Sequence, residues 1–145
     1  MEKLQKNEIR KLLTGRTVRD EEGWLIAVPD GNYMIYHGVS DRSGYGKIRQ
    51  RQEQIKLASN NEDAFYLVLK GLQDMGILAN MTTMPDALCA LCRVHLTKAV
   101  LLCVSPVENG VVQVQAFTGR SLTAGLTCRY AINKLMKKIN PKKKD

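Results

Sequence analysis

The sequence predicts a single α+β domain: an antiparallel sheet built from two hairpins, with helices packed mainly on one face. Three observations carry this reading. Two β-prone runs bracket a Pro-Asp-Gly turn in the first half of the chain, residues 23–28 and 33–37. Two more, residues 98–104 and 111–117, bracket the polar segment Ser105-Pro106-Val107-Glu108-Asn109-Gly110. Between and after them lie segments whose apolar residues recur at helical spacing. At 145 residues, with 44% hydrophobic and 25% charged side chains, the chain has the make-up of one ordinary globular domain rather than a disordered one. Residues 1–140 are assigned to that domain and residues 141–145 to a basic flexible tail.

Residues 3–13 place Leu4, Ile9, Leu12 and Leu13 among charges, with Gly15 just beyond, which predicts a short amphipathic helix ended by glycine. Arg10 and Lys11 fall in its last turn, where they favour the helix dipole. The first hairpin follows, its turn Pro29-Asp30-Gly31-Asn32 combining a fixed φ with a residue that accepts positive φ. Residues 38–46 form a Gly- and Ser-rich loop. Residues 47–57 have apolar Ile48, Ile55 and Leu57 around a polar run; a mostly exposed helix is the favoured reading, an edge strand the alternative.

Ser59, Asn60 and Asn61 offer helix caps and Glu62 and Asp63 first-turn acids, so a helix is expected through Met75. Its apolar face of Ala64, Phe65, Leu67, Val68 and Leu72 marks it as the central packing helix, and Gly76 stops it. Pro85 and Asp86 favour a helix over residues 87–95. A strand is the competing reading, because Leu88, Ala90, Cys92, Val94 and Leu96 alternate. In the second hairpin Val112, Val114 and Ala116 alternate with Gln113 and Gln115, which predicts one buried and one wet face. Gly119, Ser121 and Thr123 introduce a last helix through Ile139, with Leu122, Leu126, Tyr130, Leu135, Met136 and Ile139 as its apolar residues and Pro141 beyond its end. Each hairpin is followed by a Gly/Ser/Arg loop, a hint of duplication.

The first residues alternate charged and apolar side chains without the apolar stretch of a secretory signal, and the longest apolar run, residues 99–104, is too short to span a bilayer. The expectation is an intracellular, cytoplasmic protein with no membrane partner. Cys89, Cys92, Cys103 and Cys128 then read as reduced, buried thiols acting as small hydrophobes. Cys89 and Cys92 have C-x-x-C spacing, but no second pair supplies the remaining ligands of a zinc site. No metal or other cofactor is called for.

Charge gives the functional lead. From Leu122 onward the chain carries seven Lys or Arg and one acid, most of a net charge of +8. Charge gathered in this way attracts polyanions. The candidate phosphate-contacting residues are Arg129, Lys134, Lys137 and Lys138 in the last helix, with Arg42, Lys47, Arg49 and Arg51 as a second patch. Lys47, Arg49 and Arg51 line one side only if residues 47–57 are a strand. The leading expectation is a non-enzymatic module binding DNA or RNA through phosphate; the alternative is a protein–protein interaction domain. Nothing in the sequence sets an oligomeric state. Tyr45 between two glycines could stack on an unpaired base, and the loops at Ser40–Gly44 and Thr118–Ser121 have the composition of anion-binding nests.

For catalysis the inventory is thin. His37 and His95 have no nucleophile at a spacing that completes a triad, and Cys89 with His95 is a thiol-dependent alternative. Gly23-Trp24-Leu25, then Tyr36-His37-Gly38 and a basic segment, resemble the GIY-YIG nucleases. That resemblance implies a small α/β domain cutting DNA with Tyr36, a helical arginine at Arg49 and a metal-binding glutamate at Glu53 or Glu62. It covers about 30 residues, and Leu25 stands where the first motif has its tyrosine.

Overall fold

The computed structural model describes residues 3–29, 47–57, 61–95 and 98–140. In chain order these form α1 (Lys3–Leu13), β1 (Thr17–Arg19), β2 (Leu25–Ala27), β3 (Ile48–Lys56), α2 (Asn61–Met75), β4 (Gly76–Ala79), β5 (Leu88–His95), β6 (Lys98–Val104), β7 (Val111–Gly119) and α3 (Ala124–Ile139). The α+β class holds, with three helices among the described residues. The sheet is mixed rather than wholly antiparallel: its seven strands run β1-β2-β4-β5-β6-β7-β3, and β2 pairs with β4 in parallel at Leu25 and Ala79.

Two expectations for local structure are overturned. Residues 48–56 are strand, not helix: β3 pairs along its whole length with β7, from Ile48 opposite Gly119 to Lys56 opposite Val111. The sparse apolar positions that suggested an exposed helix are those of an edge strand with one neighbour. Residues 88–95 are likewise strand: β5 sits between β4 and β6, and its two-residue alternation, not Pro85, decides its conformation. The first hairpin is also revised. Both edges of β2 are taken, one by β1 through a turn at Asp20–Trp24 and the other by β4. The expected second arm, residues 33–37, lies outside the described residues, as do the loop at 38–46 and the tail at 141–145.

Alternation divides the sheet into two faces. Ala90, Cys92, Val100, Leu102, Val104, Val112, Val114, Ala116 and Ile55 pack under α2 and α3. Cys89, Leu101, Cys103 and Phe117 point to the opposite face, where Ile9 and Leu12 of α1 cover them. The predicted wet side of β7 is present on this second face: Gln52 donates from Nε2 to Gln113 Oε1 at 3.3 Å. A buried carboxylate anchors α1. The N–H and hydroxyl groups of Thr82 donate to Glu8 Oε2 at 2.8 and 3.1 Å, and those of Thr83 to Oε1 at 3.0 and 2.5 Å.

The burial of α3 departs from the expected face. Leu122, Leu126, Tyr130 and Met136 are exposed, while Ala124, Thr127, Cys128, Ala131, Ile132, Leu135 and Ile139 are buried. Small residues in the first half let the helix approach the sheet closely. Two glycines do specific work. A Cβ on Gly76 would lie 2.1 Å from the Leu91 carbonyl oxygen, so only glycine passes directly from α2 into β4. Asn109 (φ 55°) and Gly110 (φ 73°) form the tight turn of the β6–β7 hairpin, closed by reciprocal bonds between Glu108 and Val111 at 2.9 and 3.0 Å.

Candidate nucleic-acid interface

Because residues 48–56 are a strand, its odd-numbered side chains share the face that carries Ile55, the one under α3. Arg49 and Arg51 therefore stand on one side of an edge strand, about two residues or roughly 7 Å apart. Lys47 extends the row, since its carbonyl accepts a hydrogen bond from Arg120 N–H at 3.1 Å and so continues the β3–β7 ladder. That register sets Arg120 opposite Lys47 on the same face.

α3 runs alongside this row. Its start is fixed at Arg49, where the Cys128 thiol lies 3.9 Å from the Arg49 carbonyl, and its end at Lys56, whose carbonyl accepts from Asn140 Nδ2 at 2.7 Å. The Arg49 guanidinium rests on the first turn: a Cβ on Gly125 would be 3.3 Å from its Nη2. Nearby, Lys98 donates from Nζ to the hydroxyls of Ser121 (3.2 Å) and Thr123, the residues leading into the helix. The first turn of α3 has no acidic side chain, and Thr123 makes no side-chain capping bond. Arg49 and Lys98 thus sit at the positive end of the helix dipole, with Lys47, Arg51 and Arg120 on the adjoining β3–β7 ladder.

Among the described residues, one carboxylate forms an ion pair in this corner: Arg51 Nε lies 2.8 Å from Glu53 Oε2, with both side chains partly in solvent. Such a pair is worth about 0–1 kcal/mol.

The bases of α3 divide between its two sides. At 100° per residue Arg129 follows Gly125 on the shoulder turned toward β3. Lys134 and Lys138 lie on the other flank: Lys138 Cβ is 3.4 Å from where a Gly71 Cβ would stand, and the Lys134 charge reaches the Cys92 thiol. Lys137 is exposed. Helical spacing therefore sets Arg129 on the β3 side of α3, one turn beyond the Arg49 contact, and Lys134 and Lys138 on the other side. Arg42 and Tyr45 lie outside the described residues. Lys98 was not among the sequence candidates, and Arg120 entered only within the Thr118–Ser121 loop; a further signal for Arg120 is the chain from Asn109 to Lys144, which contains no Asp or Glu at all.

Among the described residues the remaining candidates do not converge. All four cysteines are free and buried. Cys89 and Cys92 belong to opposite faces of the sheet, the former packed with Ile9 and the latter with Leu72, so the C-x-x-C spacing does not make a joint site. Burial pushes the Cys92 thiol up to about 12 and the Cys128 thiol up to about 11, with Lys134 opposing the first shift and Arg49 and Arg51 the second. The Cys103 thiol is raised well above its ordinary value by its hydrogen bond with Cys89 and by burial. Such thiols stay protonated and unreactive at neutral pH. Among the described residues no three His, Cys, Asp or Glu side chains meet to hold a metal ion, and no helix is long and apolar enough to cross a membrane. Tyr36 and the side chains of His95 and Glu62 lie outside the described residues. Arg49 stands on a strand, not on the helix that the GIY-YIG resemblance implies, and Glu53 pairs with Arg51. No protein-family model matches the chain, and no curated protein matches it.

Proposed function

We propose that this protein is a binding module that engages nucleic acid through phosphate, using Lys47, Arg49 and Arg51 of the β3 row with Arg129 beside them. The observation that carries this reading is the strand conformation of residues 48–56, which aligns bases that a helix would scatter. Arg49 supplies a second support. A guanidinium held against the positive end of α3, with no acid in the first turn, is unfavourable in the unbound protein and is relieved by an arriving anion. The row directs charge at a backbone, so the binding is sequence-tolerant and salt-sensitive.

Fluorescence anisotropy with labelled single-stranded and duplex oligonucleotides tests the reading. Replacing Lys47, Arg49 and Arg51 together by glutamine is expected to weaken binding at least tenfold. Replacing Lys134, Lys137 and Lys138 is expected to weaken it only a few-fold, through loss of general charge. Equal effects of the two triple variants contradict the assignment.

A further inference from the structure

The outer surface of α3 carries a feature that phosphate binding leaves unexplained. Leu122, in the turn that leads into the helix, is fully exposed, Leu126 is 68% exposed and Tyr130 is half-exposed. Leu126 and Tyr130, four apart on α3, stand one above the other, and Leu122 lies in the turn just before the N-cap Thr123. Beside them lies an open cavity of about 630 Å³, lined by Lys98, Thr123, Leu126, Arg129, Tyr130 and Asn133. Its charged members, Lys98 and Arg129, are both cationic.

We propose that this face docks an acidic amphipathic helical segment of a partner protein. Two features of the surface select that occupant. Exposed leucines beside a tyrosine gain by burial against other aliphatic side chains. A phosphate backbone offers them nothing. The surrounding charge then selects the sign: Lys98 and Arg129 border the groove, and the 36 positions from Asn109 to Lys144 supply no carboxylate. A second copy of this chain is disfavoured by the same feature, since stacking α3 on α3 would oppose basic surfaces. A helix with leucines at i and i+4 and glutamates on its flanks matches both the Leu126–Tyr130 spacing and the charged border. The apolar patch is small, so the contact is a weak, transient one.

The test uses the full chain and a labelled 18-residue peptide with leucines at helical i, i+3 and i+4 spacing and glutamate elsewhere, titrated by anisotropy. Two controls accompany it: the same peptide with glutamine for glutamate, and polyglutamate of equal length. The parent is expected to bind the first peptide at least tenfold more tightly than either control. The double variant Leu122→Gln, Leu126→Gln is expected to lose that preference at unchanged Tm, both side chains being solvent-exposed. It should retain nucleic-acid binding through Lys47, Arg49 and Arg51, so the two proposals fail separately. Equal binding of polyglutamate reduces the effect to charge and overturns the proposal. So does undiminished peptide binding by the double variant. Conversion of a parent dimer to monomer by the same substitutions assigns the face to a second copy. Loss of single-strand binding assigns it to nucleic acid. Either result rejects a partner protein.

Discussion

The guanidinium of Arg49 lies against the backbone of Gly125, so that a Cβ at the glycine would stand 3.3 Å from Nη2. A cation on β3 is thereby held at the positive end of a 16-residue helix. Within one turn, a cation at that end of a helix costs a few tenths to about 1 kcal/mol. Arg49→Gln is therefore expected to leave the protein as stable as the parent or slightly more so, while weakening nucleic-acid binding about three- to tenfold. Thermal denaturation and anisotropy on the same preparation check the pair. A variant that loses stability along with binding would assign Arg49 a structural role.

Glu53 tests the row from the opposite side. Its carboxylate lies 2.8 Å from Arg51 Nε in a partly solvated setting. Removing it by Glu53→Gln should cost less than about 1 kcal/mol of stability. The same change releases Arg51 and deletes a negative charge, so affinity for an oligonucleotide should rise two- to fivefold. A fall in affinity would place the phosphate path elsewhere.

The thiols give an alkaline signature. Their raised pKa values mean that the folded state holds these protons more tightly than the unfolded chain. The associated stability is full below the ordinary thiol value of 9.0 and drains away as pH rises toward about 12 at Cys92. The parent should therefore lose Tm progressively above pH 9. Cys92→Ala should start from a lower Tm because of its cavity, yet show a shallower decline. Iodoacetamide should label the four cysteines at the rate of unfolding rather than at the rate of a free thiol.

At the other extreme Asp20 holds the β1–β2 turn. Its Oδ1 accepts from the N–H groups of Glu22 and Trp24 at 2.9 and 3.0 Å, and its Oδ2 from Asn80 Nδ2 at 2.6 Å. Desolvation pushes the carboxyl up, and these bonds together outweigh it, leaving it below its ordinary value of 3.8. Its contribution is present above that value and is lost as pH falls through the lower folded value. Asp20→Asn should weaken amide protection in residues 17–27 at neutral pH and flatten the acid limb of the Tm profile.

Gly76 is a steric test of the fold. Any side chain there meets the Leu91 carbonyl at 2.1 Å, a backbone atom without freedom to move aside. Gly76→Ala is expected to cost about 1–3 kcal/mol or more, the range for overpacking a tight site. A Tm within a degree or two of the parent would contradict the α2–β4 junction described here.

The sequence made the α+β class, α1, α2, α3 and the β6–β7 hairpin legible, because each is marked by local period and by turn residues acting within a few positions. It misled where alternation and helical spacing compete over a short stretch. In residues 48–56 the polar run Arg49–Gln54 hides a strand whose only apolar support is Ile55 and Ile48 on opposite faces. In residues 88–95 Pro85 and Asp86 imitate a helix start. The pairing of β2 with β4 was invisible, since it joins residues some fifty positions apart. The basic row was half legible: Lys47, Arg49 and Arg51 were identified with the condition that they lie on a strand. Lys98 and Arg120 come to the site only through the β6–β7–β3 register. For α3, hydrophobicity alone suggested that Leu122, Leu126 and Tyr130 turn inward, whereas Ala124, Cys128 and Ala131 take that place because a close helix–sheet approach needs small side chains.

The most direct test of the account is the salt dependence of oligonucleotide binding. Log K against log salt concentration should be linear for the parent, and for the Lys47, Arg49, Arg51 triple glutamine variant its slope should be shallower by roughly 2–3, close to 0.7–0.9 for each phosphate contact removed. The Lys134, Lys137, Lys138 variant should run nearly parallel to the parent. Parallel lines for the β3 variant and the parent would contradict the claim that this edge strand meets the phosphate backbone.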